Sequence, residues 1–216
     1  MTRRARGVIF DMDGVLIDSG AYHREAWRVL LEELGVVPAQ PDYWRLTIGR
    51  PGNEAVPLLL GRDLPWFEAR RLADKKRDHY LRLARHGLPA VRGVAAFIEM
   101  LEASEIPRAV ATSASRFDVD RLLGHLGLRE RFDVVVAAED VRLGKPDPEV
   151  YVRAAEGIAV RPAECLVFED SVVGVEAARR AGMRVIGVTT AHTEEELRAA
   201  GAVRVIDDFE GLTWPV

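Results

Sequence analysis

Short apolar runs recur along the chain and are separated by longer segments in which apolar residues repeat at helical spacing. The runs predict strands at residues 8–10, 108–112, 134–137, 166–168, 184–188 and 203–206. Helices are predicted between most of them, at residues 94–103, 118–126, 149–156 and 172–181. Because helices that connect strands in this way form right-handed crossovers, the alternation predicts an α/β fold. It would be a doubly wound, mostly parallel sheet with helices on both faces.

The interval between the first two strands departs from this alternation. It contains no convincing strand, but apolar residues from Ala26 to Leu34 follow helical spacing, with Ser19 as a predicted N-cap and Gly35 as a stop. Further helices are predicted at residues 54–60 and 65–85. The interval is therefore predicted to be an all-helical insertion directly after the first strand.

This insertion predicts two domains. The predicted catalytic core covers residues 1–17 and 89–216, and the predicted helical cap covers residues 18–88. Ligands of open parallel sheets bind at the carboxyl ends of the strands, so a cap inserted there is placed to act as a lid. Hinges are predicted near residues 18–20 and 87–91.

Composition and charge are those of an ordinary soluble enzyme. The chain has 216 residues, of which 48% are hydrophobic and 30% charged, and its formal net charge is -4. This charge gives no reason to expect nucleic acid or an anionic membrane as a partner. There is also no apolar run of membrane-spanning length and no apolar signal segment before the first strand. We expect a cytoplasmic protein, a monomer or weak homodimer, that binds an anionic ligand locally.

Two aspartates, Asp11 and Asp13, follow the first strand and precede a glycine. Ionised carboxylates beside an apolar core require compensating charge, and hard oxygen ligands of this kind suit Mg²⁺. The arrangement suggests phosphoryl transfer through an aspartyl phosphate. The alternative interpretation is an Asp-Gly turn at the end of a strand.

Other predicted strands also end in polar residues. The hydroxyl-rich segment 112–115 offers groups that bind phosphate, or it is a plain helix cap. Lys145, in the turn GKPDP, is either a solvated lysine or the cation that a site with aspartates and phosphate lacks. Asp170 follows the strand LVFE; it is either a helix cap or a magnesium ligand, and we prefer the ligand.

In chain order, FDMDG, Thr112, GKPDP with Lys145 and FEDS with Glu169 and Asp170 resemble the four motifs of the haloacid dehalogenase superfamily. The chain is most similar to the β-phosphoglucomutase-like and sugar-phosphate phosphatase branch. The resemblance implies a Rossmann-like core whose central strand precedes Asp11, flanked by the strands before Thr112 and Glu169. It also implies a helical cap inserted after the first motif.

The resemblance further implies the roles of these residues. Asp11 would be the nucleophile, Asp13 the general acid and then the base, and Lys145 the group that neutralises carboxylate and phosphate charge. The implied ligands of Mg²⁺ are Asp11, Asp13 through its backbone carbonyl, and Asp170, with Glu169 in support. The implied phosphate-binding groups are Thr112 and the backbone of Ser113 and Ala114.

The predicted cap carries weaker signals. His23 resembles a histidine that positions the acid/base or the substrate, although a lone histidine on an amphipathic helix is often structural. Lys76 resembles a cap lysine that faces the site, but it lies in a charge run that is usually a solvated helix face. The segment 48–54 resembles the cap specificity loop: where mutases carry an arginine for a second phosphate, this chain has Gly52, and only Arg50 is near.

The sequence thus predicts a Mg²⁺-dependent phosphatase that hydrolyses a small phosphorylated metabolite. A sugar phosphate is the favoured substrate. The first alternative is a phosphohexose mutase of the β-phosphoglucomutase type. A non-catalytic binding protein on the same fold is a remote alternative. Nucleotide-cofactor enzymes are disfavoured because the sequence contains neither G-x-G-x-x-G nor G-x-x-x-x-G-K-[ST].

Overall fold

A computed structural model describes residues 5–38 and 40–216 of the chain, so the first four residues of the predicted core segment lie outside the described residues. Its centre is a parallel sheet of six strands in the order β3-β2-β1-β4-β5-β6. The strands are β1 (Gly7–Phe10), β2 (Arg108–Ala111), β3 (Val134–Val136), β4 (Cys165–Glu169), β5 (Arg184–Val188) and β6 (Arg204–Ile206). The predicted α/β class is confirmed, and every predicted strand is present with small shifts at its ends.

Helices cover both faces of the sheet. They are α4 (Val94–Ala103), α5 (Arg116–His125), α6 (Glu149–Gly157), α7 (Val172–Arg180) and α8 (Glu194–Ala200), and they follow three cap helices given below. Successive side chains of a strand point to opposite faces, so Val8 and Phe10 pack with α4 and α5, whereas Ile9 packs with α6 and α7. Burial on both faces explains why the strands are continuous apolar runs.

Helix α8 is absent from the sequence-based prediction. It contains three consecutive glutamates, and Leu197 is its only buried residue, so it has no apolar stripe that would reveal a helix. It begins instead at a capping box in which Thr193 and Glu196 bind each other's backbone N–H groups.

The chain between β1 and α4 forms the predicted helical insertion. Its helices are α1 (Gly20–Glu33), α2 (Gly52–Leu60) and α3 (Trp66–Leu83), with a 3₁₀ turn at Tyr43–Thr47 and another at Ala84–His86. Trp27 and Leu30 of α1, Ala55 and Val56 of α2 and Leu72 of α3 form an apolar cluster of their own. That separate cluster supports the predicted boundaries of core and cap, which remain a prediction.

The two connections between insertion and core run side by side. Ile17 and Ala90 form an antiparallel bridge, and the backbone N–H of Asp18 donates to the carbonyl of Pro89 at 2.9 Å. The predicted hinge segments are therefore hydrogen-bonded to each other. No helix in the described part of the chain is both long and apolar enough to cross a membrane.

Candidate active site

The candidate site lies where the winding direction of the sheet reverses. The crossovers run one way from β1 towards β3 and the other way from β4 towards β6, so β1 and β4 are neighbours that flank the reversal. In open α/β sheets the crevice at this point binds ligands. Asp11 and Asp13 follow β1, whereas Glu169 ends β4 and Asp170 comes directly after it. The register thus brings the predicted acidic residues to one edge.

Lys145 joins the two strands. Its Nζ lies 2.7 Å from Asp11 Oδ1 and 2.7 Å from Glu169 Oε1, and it also donates to the carbonyl of Ala111 at 3.3 Å. The lysine is 1% exposed, so the interpretation of a solvated loop lysine is wrong. A fully buried ammonium requires such partners, because desolvation of the unpaired charge costs several kcal/mol.

Glu169 is saturated with donors. Its Oε1 accepts from Lys145 and from the Tyr151 hydroxyl at 3.0 Å, and its Oε2 accepts from the Ser171 N–H at 2.6 Å and hydroxyl at 2.9 Å. Ser171 in turn caps α7 by accepting from Gly174 N–H. Both oxygens are occupied by protein groups, so Glu169 fixes Lys145 in place. Nothing in the sequence pattern signals the contribution of Tyr151.

Asp11, Glu169 and Asp170 form a buried acidic cluster, with one carboxylate oxygen of each within 4.8 Å of the others. Burial raises the pKa of Asp11 to about 7, although Lys145 opposes the shift and Glu169 adds to it. Burial and repulsion from Glu169 and Asp11 raise the pKa of Asp170 well above its ordinary value. One lysine thus does not balance three carboxylates. A divalent cation with a preference for hard oxygen ligands fits this set, and Asp11 and Asp170 would hold it.

Asp170 is fixed by its neighbours. The Oδ2 atom of Asp170 lies 3.3 Å from Thr190 Oγ1, and this hydroxyl also donates to the carbonyl of Gly14 at 2.6 Å. The backbone carbonyl of Asp170 lies 3.0 Å from His192 Nδ1. A Cβ on Gly14 would lie 1.9 Å from Asp170 Oδ2, and Gly14 has φ of 76°. The glycine after the aspartates is therefore required both by backbone conformation and by the closeness of the carboxylate.

Asp13 is bound by residues of the insertion. Ser19 Oγ donates to Asp13 Oδ1 at 2.6 Å, and His23 Nε2 lies 3.0 Å from the same oxygen. Lys76 Nζ lies 2.6 Å from His23 Nδ1. Ser19 occupies the predicted N-cap position of α1, but its side chain makes no cap hydrogen bond to that helix. Lys76 is 8% exposed, so the solvated-face interpretation is wrong for this residue.

The protonation of this chain of groups follows from its chemistry. Lys76 only donates, so His23 Nδ1 must accept and its Nε2–H donates to Asp13, which describes a neutral imidazole. Burial, together with the charge of Lys76, accordingly lowers the pKa of His23. Burial also lowers the pKa of Lys76 to about 8, despite attraction from Asp13. Burial alone would raise the pKa of Asp13, but His23, Ser19 and Lys76 together hold it at about 2.

The segment after β2 combines both predicted interpretations. Ser115 caps α5 by accepting from Asp118 N–H at 3.2 Å, as a plain helix cap would. Thr112 Oγ1 accepts from Ala114 N–H at 3.1 Å, and Ser113 Oγ donates to the carbonyl of Gly49 in the insertion at 3.0 Å. The hydroxyl of Thr112 keeps its own proton available for a ligand.

A cavity of about 580 Å³ separates the insertion from the core. From the core, the residues that line it include Asp11, Asp13, Thr112, Ser113, Ala114 and Asp170. From the insertion, they include His23, Arg50, Lys76 and Tyr80. Lys145 and Glu169 are outside this lining and support Asp11 from the core side.

The insertion is held against the core by ion pairs. Arg77 on α3 binds Asp118 on α5 through two hydrogen bonds of 2.6 and 2.8 Å, and Arg45 pairs with Glu196 on α8. Sequence reasoning missed both pairs, because each joins residues in different elements without a motif. Arg77 and Asp118 also line the cavity, so their pair lies at its edge.

The chain is similar to known proteins over nearly its whole length. The chain is 34% identical over 210 residues to validoxylamine A 7'-phosphate phosphatase of Streptomyces hygroscopicus subsp. limoneus, covering 96% of this chain and 95% of the relative. It is 38% identical over 214 residues to the phosphorylated carbohydrates phosphatase of Thermotoga maritima, covering 95% of each. The crystal structure of β-phosphoglucomutase from Clostridium difficile superposes with a TM-score of 0.86 at 25% identity, covering 97% of this chain and 94% of that one.

The family is identified by most of the sequence. Residues 5–182, which span the first strand, the insertion and the ends of β2, β3 and β4, match the model of the haloacid dehalogenase-like hydrolases. The expected resemblance is confirmed, and this chain belongs to the haloacid dehalogenase-like hydrolase family.

Proposed function

We propose that this enzyme is a Mg²⁺-dependent phosphatase that hydrolyses a small sugar-like phosphate ester through an aspartyl phosphate on Asp11. The observation that carries the proposal is the Asp11 carboxylate, which lines the cavity, is bound by Lys145 on one oxygen and shares the cavity with Asp13. The names of the two relatives, a validoxylamine A 7'-phosphate phosphatase and a phosphorylated carbohydrates phosphatase, support this substrate class.

Asp11 is the proposed nucleophile. Lys145 binds Oδ1, which leaves Oδ2 to attack phosphorus in line with the departing oxygen. A bond then forms between Asp11 and phosphorus while the ester O–P bond breaks. Lys145 reduces the repulsion between the carboxylate and the incoming phosphate, and Thr112 donates its hydroxyl to a phosphoryl oxygen. When bound between Asp11 and Asp170, Mg²⁺ would supply the remaining positive charge.

Asp13 is the proposed general acid and base. Its low pKa rises when a phosphate dianion enters beside it, because like charges disfavour the ionised carboxyl. Protonated Asp13 gives its proton to the leaving alcohol, and the resulting carboxylate then takes a proton from the water that attacks the aspartyl phosphate. His23 and Lys76 are the proposed positioning residues, since they reach Asp13 in series from the insertion.

A mutase is the second candidate, and Arg50 is the observation that favours it. Arg50 lines the cavity, and its side chain has no ion-pair partner in the described parts of the chain, so it is available to a second anionic group. Gly52 argues against a mutase. A Cβ at this position would already lie 3.0 Å from Ala73 Cβ, so an arginine is not accommodated there without rearrangement. Phosphate release from hexose phosphates indicates a phosphatase; isomerisation that requires a bisphosphate primer indicates a mutase.

The proposal is tested by measuring inorganic phosphate released from a panel of sugar phosphates, phosphoglycolate and nucleotides, with Mg²⁺ and with EDTA. We expect turnover of at least one sugar phosphate that EDTA abolishes. Asp11→Asn should abolish turnover while the protein stays folded, and Asp18→Asn is the matched control because Asp18 is exposed on the same loop. Multiple turnover by Asp11→Asn would show that the nucleophile is another residue.

A further inference from the structure

The hydroxyl of Tyr80 is a buried polar group without a partner. Tyr80 lies on α3, is 4% exposed and lines the cavity, yet its hydroxyl oxygen makes no hydrogen bond within residues 5–38 and 40–216. A buried polar atom left unpaired destabilises the fold, so its retention calls for an explanation. The one other such side-chain atom in that part of the chain, Trp214 Nε1, does not line the cavity.

The ring of Tyr80 fixes where this hydroxyl points. It stacks on His23 with centroids 4.1 Å apart and planes 11° apart, and Lys76 Nζ lies 5.2 Å from the ring centroid. Burial and the charge of Asp13 raise the pKa of the Tyr80 hydroxyl, which lies close to Ser19 and Asp13 but lacks the geometry of a hydrogen bond with either. The phenol is thus held beside the acid/base group by its ring alone.

Asp13 does not need this hydroxyl. Its Oδ1 already accepts from Ser19 and from His23. An anionic ligand group in addition to the phosphate is disfavoured at this position, because it would add to the negative charge around Asp13. A neutral hydroxyl is suited to it, because a phenol both donates and accepts and can pair with another hydroxyl in either direction.

We infer that Tyr80 binds the substrate hydroxyl next to the phosphorylated one, so that the enzyme prefers phosphate esters of vicinal diols. The inference rests on the proposed function, in which Asp13 protonates the leaving oxygen. In a vicinal diol the two oxygens lie within hydrogen-bonding distance of each other. A leaving oxygen placed at Asp13 therefore brings its neighbouring hydroxyl to Tyr80.

The test compares 2-hydroxypropyl phosphate with propyl phosphate, which differ by that one hydroxyl, in the wild type and in Tyr80→Phe. We expect the wild type to prefer the diol ester in kcat/KM. Tyr80→Phe should lower that preference about 3- to 10-fold, the effect of one neutral hydrogen bond. Tyr43→Phe, a cap tyrosine outside the cavity lining, should leave the preference as it is. Equal losses with both esters would overturn the inference, because the hydroxyl would then act through Asp13.

Thermal unfolding of the same variant provides a second measurement. If the hydroxyl is reserved for substrate, its removal relieves an unpaired group and Tyr80→Phe should melt at or above the wild-type temperature. A fall of more than a few degrees would make the hydroxyl structural and overturn the inference. Failure of the wild type to release phosphate from any ester would instead refute the proposed function, while the melting comparison would still decide the status of the hydroxyl.

Discussion

Replacement of Glu169 by glutamine tests whether this residue fixes the catalytic lysine. The side chain is fully buried and accepts hydrogen bonds from Lys145, Tyr151 and both donors of Ser171. Glutamine has nearly the same shape, but its NH₂ group cannot accept. Whichever way the amide is turned, the NH₂ group faces donors, from Lys145 and Tyr151 or from Ser171.

The expected cost is a balance of two effects. Removing one partner of a buried ion pair typically costs about 3–5 kcal/mol. Part of that is offset, because Lys145 keeps Asp11 as a partner and because one negative charge leaves the cluster that includes Asp170. We therefore expect a loss of about 3 kcal/mol in the free energy of unfolding. For a chain of this length that corresponds to a fall of roughly 6–12 °C in Tm.

Thermal unfolding at pH 7, followed by circular dichroism, measures this fall. Glu176→Gln is the matched control, since Glu176 forms a partly exposed pair with Arg180 at 3.3 Å whose loss should cost about 0.5 kcal/mol or less. The Glu169→Gln variant should also lose activity, because Lys145 retains a single anchoring carboxylate. A Tm within about 2 °C of the control would show that Glu169 does not hold the lysine in the way described.

Asp13→Asn should lower the rate of phosphate release about 10²- to 10⁴-fold in steady-state assays, and an unchanged rate would exclude acid/base catalysis by this residue. Because burial lowers the pKa of Lys76 from 10.5 to about 8, the unfolded chain binds more protons than the folded one between these values, and stability rises with pH there. Lys76→Met should abolish that rise and be more stable than the wild type at pH 7 by up to about 3 kcal/mol in urea unfolding; identical pH profiles would contradict the assignment. Arg77→Met removes the ion pair with Asp118 that holds the insertion against the core. KM should therefore rise about tenfold, and KM should depend less on salt concentration than in the wild type. An unchanged KM would mean that closure of the insertion over the cavity does not depend on this pair.

Much of the fold can be predicted from the sequence because local patterns of residues determine the strands and helices. Strands buried on both faces must be continuous apolar runs, and helices that cover them must repeat at helical spacing, so both leave a signature in neighbouring residues. The helix α4 is predicted at its observed bounds, Val94–Ala103. The helix α8 escapes prediction because its capping box and single buried leucine leave no such stripe.

The candidate site likewise contains residues that a local pattern predicts and contacts that no local pattern predicts. Polar residues at the ends of buried strands must meet at one edge of a parallel sheet, which is why the strand pattern alone points to Asp11 and Asp170. The contacts that define the roles of Ser19 and Lys76 follow no such rule. Ser19 carries the signature of a helix cap and Lys76 that of a solvated charge run, yet both belong to the network around Asp13.

The order of strands and helices, the position of the insertion and the acidic ends of β1 and β4 are all encoded locally, because each depends on residues close together along the chain. Which groups surround those acids depends instead on how the folded elements pack. Lys145 reaches Asp11 across 134 positions of sequence and Lys76 reaches His23 across 53. Polar groups this far apart in the chain become partners only when packing of the core and the insertion removes water from between them, and no local pattern records that event.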